Sequence, residues 1–246
     1  VMGQFARLLE GYATDPPIAF VLCGDFLSPA ASGRRKSEAL REGFAELADL
    51  IAAHEDLADR TRFIFVPSLN DPVLGRVLPR PSIPAAIVEP LARRIPNCHF
   101  ATNPCRLQYC SQEIVVFREN VIEKMCRNCI HAPSEKKDIP EHFVKTVQSQ
   151  GHLCPLPLHV SPVYWDFEAA LRLYPLPDLL VVADTFDHFQ WPQPGPASVD
   201  DSMAGLGLPP QKHLTANPGS FARAKNSFQV YYPARRELDD SCVPPP

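Results

Sequence analysis

The chain has 246 residues, of which 45% are hydrophobic and 21% charged, and this composition excludes a chain that is disordered throughout because it supplies enough apolar material for a core. Its formal charge of -4 excludes the basic surface of a protein that holds nucleic acid by its phosphates, so any DNA contact is expected to be mostly indirect. The proline content, 28 of 246 residues, is roughly twice the ordinary share of about 5%. This content excludes long uninterrupted helices across much of the chain.

The first residues and the cysteines indicate where the protein works. No window approaches the ~18 consecutive apolar residues of a membrane helix, and the start lacks the layout of a signal peptide. We therefore expect an intracellular protein without a membrane segment, whose eight cysteines are reduced thiols. An amphipathic pattern over residues 4–12 predicts a helix that continues from an upstream segment.

The first quarter of the chain predicts a βαβ unit. Residues 18–26 form a nearly continuous apolar run, which predicts a strand buried on both faces. A helical period begins at Ser37, and residues 63–68 predict a second buried strand. The predicted buried face of the helix consists of Leu40, Phe44, Leu47, Ala48 and Ile51. Compact connections between these elements favour parallel pairing of the strands.

Shorter elements follow, separated by prolines. The patterns predict a helix over 87–93, a strand over 98–104, a hairpin over 106–119, and helices over 121–127 and 142–148. Phe167, Ala170, Leu171 and Tyr174 have the spacing of one α-helical face, which Pro175 would end. Residues 178–185 predict another buried strand.

The last part of the chain is predicted to be mostly irregular. Residues 190–211 are rich in proline and glycine, which predicts a long mobile surface loop. After it the patterns predict strands over 213–216 and 228–233, joined through a turn over 217–220, and then a polar tail over 234–246. No internal repeat or clear break divides residues 1–246, so we expect a single domain.

Four predicted strands end in polar residues that one sheet edge would bring together. These residues are Gly24-Asp25, Ser68 to Asp71, Thr102-Asn103 and Ala183-Asp184. Ligands and metals collect at the carboxyl ends of strands in open α/β folds. The order of the motifs resembles the calcineurin-like metallophosphoesterases, whose two-metal site is assembled from loops reading D-x-H, G-D-x-x-D, G-N-H-(D/E), a lone H, and G-H-x-H.

Most metal ligands of that family are replaced in this sequence. Ser28 stands where the second motif has its acid, and Leu69 and Asn70 replace the liganding Asn and the catalytic His of the third motif. A two-metal hydrolase needs carboxylate and imidazole groups that hold two ions about 3.5–4 Å apart. The resemblance therefore implies an α/β calcineurin-like phosphoesterase fold, with two packed mixed β-sheets flanked by helices, that is catalytically degenerate. The remnant of its site, expected to hold no metal and no cofactor, comprises Asp25, Asn70, Asp71, Asn103 and Asp184.

Long strings of the chain resemble, more narrowly, the second-largest (B) subunits of eukaryotic DNA polymerase epsilon. The strings are TNPCRLQYCSQEIVVFRENVIEKMCRNC, HFVKTVQSQGHLCPLPL, PVYWDFEAALRLYPLPDLLVVAD and NPGSF, and the resemblance extends from about Pro17 to about Tyr232. It implies a non-catalytic subunit that binds and stabilises the C-terminal metal-binding domain of the catalytic subunit during nuclear chromosomal DNA replication. It also implies an upstream OB-fold domain, and as further partners the other epsilon subunits and the replicative helicase.

Two other functions remain open from the residues alone. A metal-dependent phosphodiesterase or nuclease would use Asp25, Asp71 and Asp184, and the corresponding subunit of a sister polymerase, delta or alpha, would have a different partner. Metal analysis and the recovered partner distinguish these alternatives from the scaffold hypothesis.

Three smaller patterns each have two interpretations. Cys126 and Cys129 have the spacing of a zinc knuckle, although i and i+3 thiols on a helix also pack as small apolar groups. Asp184, Asp187 and His188 could bind a cation, but a solvated loop is the favoured interpretation. Cys23 precedes Gly24-Asp25 within an apolar run, which predicts an inert core thiol rather than a nucleophile. The ligands that would complete a zinc site are His131, Cys105 and Cys110.

Overall fold

The computed structural model describes residues 1–27, 36–72, 75–192 and 213–244. The helices are α1 (Met2–Tyr12), α2 (Lys36–Ala52), α3 (Glu55–Arg60), α4 (Ala85–Arg94), α5 (Ile122–Arg127) and α6 (Ile139–Gln150), with 3-10 segments at Lys136–Asp138 and Trp165–Leu171. The strands are β1 (Ala19–Cys23), β2 (Arg62–Val66), β3 (Cys98–Phe100), β4 (Cys105–Tyr109), β5 (Gln112–Arg118), β6 (Leu179–Ala183), β7 (Phe189–Trp191), β8 (Leu214–Asn217), β9 (Ser227–Tyr232) and β10 (Glu237–Cys242).

The first sheet confirms the predicted βαβ unit. Its strands are parallel, in the order β1-β2-β3, and α2 and α4 pack together beside them. All five residues predicted to form the buried face of α2 are buried. They share a core with aromatic rings of the sheet, where Phe65 stacks on Phe100 at 5.0 Å between ring centroids. The prediction that β1 is buried on both faces is wrong, because β1 lies at the edge of this sheet and Val21 is 40% exposed.

The second sheet has five strands in the order β4-β5-β6-β8-β7. It contains the predicted β4-β5 hairpin and pairs β6 in parallel with both β5 and β8, whereas β7 is antiparallel to β8. Ile64 and Val66 of β2 form one buried cluster with Val116 of β5, so the two sheets pack against each other. The expectation of two packed sheets flanked by helices holds, with the difference that only the second sheet is mixed.

The C-terminal residues form a hairpin instead of the predicted polar tail. Residues Glu237–Cys242 pair antiparallel with β9, which satisfies the backbone groups that face β9 while most of their polar side chains stay exposed. Val243 is buried in the core beside α1, and Arg7 of α1 donates a hydrogen bond to the Pro244 carbonyl. The end of the described chain is therefore attached to its beginning.

Two further predictions differ from the structure. The segment Trp165–Leu171 is a 3-10 helix and not the predicted α-helix. A 3-10 helix has three residues per turn, so it does not keep the positions of one α-helical face together. Phe167 and Tyr174 of that predicted face are exposed. The prediction of a loop over 190–211 is wrong for Gln190 and Trp191, which belong to β7. The rest of that prediction lies outside the described residues. None of the described helices has the length and hydrophobicity needed to cross a membrane.

Candidate functional site

Asp25 lies directly after β1, and both oxygens of its carboxylate accept hydrogen bonds from other side chains. Oδ1 accepts from the Ser68 hydroxyl at 2.6 Å and from the Asn70 amide at 3.0 Å. Oδ2 accepts from Nη2 of Arg118 at 2.6 Å. The backbone of Asp25 has a φ of +70°, a conformation that short polar residues tolerate at turns. The structure thus brings the predicted residues Asp25 and Asn70 together, but turns their polar groups toward each other.

Arg118 is the central residue of this edge, and the sequence analysis missed it. It is the last residue of β5, and its side chain is only 7% exposed. Besides Asp25, its guanidinium donates to the Gly24 carbonyl at 3.3 Å, the Ala183 carbonyl at 2.9 Å and the Asn120 amide oxygen at 3.0 Å. One fixed cation therefore joins the carboxyl ends of β1, β5 and β6. The available signal was an arginine placed directly after the apolar residues IVVF of the run EIVVF.

Asp71 is buried beside Asp25 and serves as an acceptor for backbone groups. Its Oδ2 accepts from the amide nitrogens of Ser68 at 2.8 Å and Asp25 at 3.2 Å, and its Oδ1 accepts from that of Phe26 at 2.9 Å. Burial raises the pKa of Asp71 above its ordinary value, and these hydrogen bonds only partly offset that effect. Asp71 therefore holds the loop after β1 against the loop after β2.

Asn103 is fully buried and connects the two sheets. Its side-chain nitrogen donates to the carbonyls of Pro67 at 2.9 Å and Arg118 at 2.6 Å, while its oxygen accepts from the Arg118 amide at 3.1 Å. Both polar atoms of the side chain are thus already hydrogen-bonded within the domain. Asn103 therefore lies beneath the edge as a structural link between the ends of β2 and β5.

A second buried arginine supports the loop after β2. Arg80 is 1% exposed, exchanges backbone hydrogen bonds with Asn103, and donates from its guanidinium to the carbonyls of Gly75 and Asp71. Burial lowers its pKa, although the nearby Asp71 carboxylate opposes this. Its Nε has no hydrogen-bond partner among the described residues. Arg80 is another charged residue of this region that the sequence analysis did not identify.

Asp184 follows β6, and its carboxylate accepts hydrogen bonds from backbone amides. Its Oδ2 accepts from the amide of Ile122, the first residue of α5, at 3.0 Å, and its Oδ1 accepts from the amide of Phe186 at 2.9 Å. An acid is favourable at the start of a helix, where amide groups lack intrahelical partners. Asp187, for which a solvated loop was the favoured interpretation, pairs with Lys136 at 3.0 Å on the surface.

The cysteines do not gather into a metal site in the described part of the chain. Cys126 is half-buried beside the core, burial raises its pKa, and its carbonyl accepts from the Cys129 thiol at 3.0 Å. Within residues 1–27, 36–72, 75–192 and 213–244, no three His, Cys, Asp or Glu side chains are placed to hold a metal ion. Burial raises the pKa of Cys23 to about 12, which agrees with the prediction of an inert thiol.

The ion pair between Asp25 and Arg118 makes stability depend on pH. Burial opposes ionisation of Asp25, but the Arg118 charge and the hydrogen bonds from Ser68 and Asn70 outweigh it and lower its pKa. A depressed carboxyl pKa stabilises the fold above the unfolded-state value of about 3.9, and this stabilisation is lost as pH falls through the folded value.

At pH 7 we therefore expect a larger free energy of unfolding for the wild-type chain than for the Asp25→Asn variant. We expect this difference to shrink below about pH 4. Urea unfolding of both proteins measures this difference. The experiments cover about pH 3 to pH 7, a range that includes the unfolded-state pKa of the aspartate. A difference that stays constant over the whole range would contradict the role given to the ion pair.

These features define an α/β domain of two packed sheets whose strand-end edge is occupied by the domain's own hydrogen-bonded side chains. The family model that describes the B subunits of DNA polymerases alpha and epsilon matches residues 1–191, and the chain belongs to this family. It is 47% identical to DNA polymerase epsilon subunit 2 of Bos taurus over 98% of the chain, 45% identical to that of Homo sapiens over 98%, and 41% identical to that of Drosophila melanogaster over 99%.

The chain spans less than half the length of these relatives. It covers 42% of each of the Bos taurus, Homo sapiens and Drosophila melanogaster proteins. Among solved structures, one described as a novel archaeal phosphodiesterase aligns with a TM-score of 0.44 and 11% identity, over 98% of this chain and 92% of that one. A likeness this weak carries no conclusion about fold or function.

Proposed function

We propose that this chain acts as a non-catalytic accessory subunit of DNA polymerase epsilon, which binds and stabilises the C-terminal metal-binding region of the catalytic subunit in nuclear chromosomal DNA replication. The family and the names of the relatives support this assignment. The net charge of -4 is consistent with a subunit that leaves most DNA contact to its partner. In this proposal residues 1–246 form one phosphoesterase-like domain, preceded in the complete protein by an OB-fold domain.

The observation that carries the non-catalytic assignment is the buried guanidinium of Arg118. A two-metal phosphoesterase uses carboxylates at strand ends to hold cations that activate water and bind the phosphate. Here Asp25 is already neutralised by Arg118, and the oxygens of Asp71 and Asp184 accept from backbone amides. We infer that the phosphoesterase site is lost, because ions would have to displace these donors.

Affinity purification and metal analysis test the proposal together. The complete gene product carrying an affinity tag is expected to recover the catalytic subunit of DNA polymerase epsilon, and the purified protein is expected to contain well under one equivalent of manganese or zinc. Mass spectrometry of the bound proteins and elemental analysis measure the two results.

Recovery of the delta or alpha catalytic subunit instead would contradict the assignment to epsilon. Stoichiometric metal, together with phosphodiester hydrolysis that Asp25→Ala abolishes, would contradict the non-catalytic assignment and support the alternative of a phosphodiesterase or nuclease.

A further inference from the structure

Four exposed aromatic side chains lie close in sequence on and after the 3-10 segment. Tyr164, Trp165, Phe167 and Tyr174 are 55%, 73%, 65% and 94% exposed, and we call them the aromatic stripe. Single exposed apolar residues are ordinary, but several large ones in one short segment are typical of an interaction surface. The packing of the described domain gives these rings no role, since the segment contributes only Leu171 to the core.

The backbone beneath the aromatic stripe is held in place by the domain. The Tyr164 amide donates to the Leu78 carbonyl at 2.7 Å, and the Leu173 amide donates to the Gly151 carbonyl at 2.7 Å. Within the segment, Nη2 of Arg172 donates to the Glu168 carboxylate at 2.6 Å. Rigid aromatic side chains on a fixed backbone lose little entropy on binding, which favours their use as anchors.

The charges around the aromatic stripe indicate the chemistry of its partner. Residues 158–174 contain one arginine and no lysine, and that arginine, Arg172, is paired with Glu168. Asp166 lies exposed between Trp165 and Phe167 without an ion pair to any described residue. Single-stranded nucleic acid also stacks on aromatic rings, but its sites combine the rings with a positively charged groove. A negative charge between the rings instead complements a lysine or arginine of a polypeptide.

We propose that the aromatic stripe docks a polypeptide that presents an apolar groove bordered by a lysine or arginine. This inference rests on the proposed function, which supplies the catalytic subunit of the polymerase as that polypeptide. Trp165 and Phe167 enter the groove, and Asp166 pairs with the cation at its border. A few buried aromatic residues carry most of the affinity at such interfaces, while the surrounding contacts exclude water.

The test compares two variants of the complete gene product. Replacing both anchors, Trp165→Ser with Phe167→Ser, is expected to weaken the affinity for the catalytic subunit, with a loss of about 30-fold or more, as truncation of central aromatic residues does at other interfaces. Ile130→Ser is the matched control, since Ile130 is 93% exposed in a different segment, and the affinity of this variant is expected to be unchanged. Biolayer interferometry measures the affinities, and the thermal midpoint checks that each variant is folded.

The outcomes separate this inference from the proposed function. If the wild-type protein binds no catalytic subunit, the proposed function fails. If it binds and the folded double variant binds equally well, the aromatic stripe is not the docking surface and the proposed function stands. The inference is also overturned if the substitutions leave that affinity intact and instead abolish binding of oligothymidylate, or convert a dimer to a monomer in light scattering.

Discussion

Replacing Arg118 with methionine is expected to lower the free energy of unfolding by about 3–5 kcal/mol. Methionine fills a similar volume, so the main effect is electrostatic. The substitution leaves the part-buried Asp25 carboxylate without its cation, and it removes donors from the carbonyls of Gly24 and Ala183. Removing one partner of a partly buried ion pair costs more than the pair contributes, because the remaining Asp25 carboxylate, 35% exposed, regains only part of its hydration.

Urea unfolding at pH 7 measures this loss, and two further variants identify its cause. Arg127→Met removes an arginine from an exposed pair with Glu123 and is expected to change stability by less than about 0.5 kcal/mol. Adding Asp25→Asn to Arg118→Met is expected to recover part of the lost stability, because no unpaired charge remains. If the double variant is as unstable as the sum of both single variants, the two side chains are not coupled as proposed.

Most of the fold could be predicted because local periodicity determines it. The buried face of α2 is identified residue by residue from its 3.6-residue period, and the run EIVVF identifies β5. The predictions failed where residues distant in sequence determine the local structure. The polar residues of β10 form a strand because β9 is there to pair with them, and β1 is half-exposed because the sheet ends at it.

The sequence predicted where the candidate site lies, but not all of the residues that form it. The rule that polar residues collect at the carboxyl ends of strands placed Asp25 and Asp71 together. The same reasoning overlooked Arg118 and Arg80, because a charged residue is expected on the surface unless a buried partner is known. Sequence spacing cannot show that Arg118 meets Asp25, which is 93 residues away.

Replacing Gly24 with alanine is expected to destabilise the domain by about 3 kcal/mol or more, the upper range for overpacking a tight interior. A Cβ at this position would lie 2.2 Å from the Ser68 amide nitrogen, 2.4 Å from Oδ2 of Asp71 and 2.9 Å from the Pro67 carbonyl carbon. Two of these atoms belong to the backbone, so no side-chain rotation relieves the contact. The added methyl group would also push apart the Asp71 carboxylate and the Ser68 amide, whose hydrogen bond holds the loops after β1 and β2 together.

The matched control for this substitution is Gly43→Ala on α2. A Cβ at Gly43 meets nothing within 4 Å, and alanine in a helix is more favourable than glycine by about 0.5–1 kcal/mol. We therefore expect the two glycine substitutions to shift the urea midpoint in opposite directions, down for Gly24 and up for Gly43. An unchanged midpoint for Gly24→Ala would mean that the loops after β1 and β2 separate at little cost, and the compact edge built around Asp71 and Arg118 would then have to be more open than described.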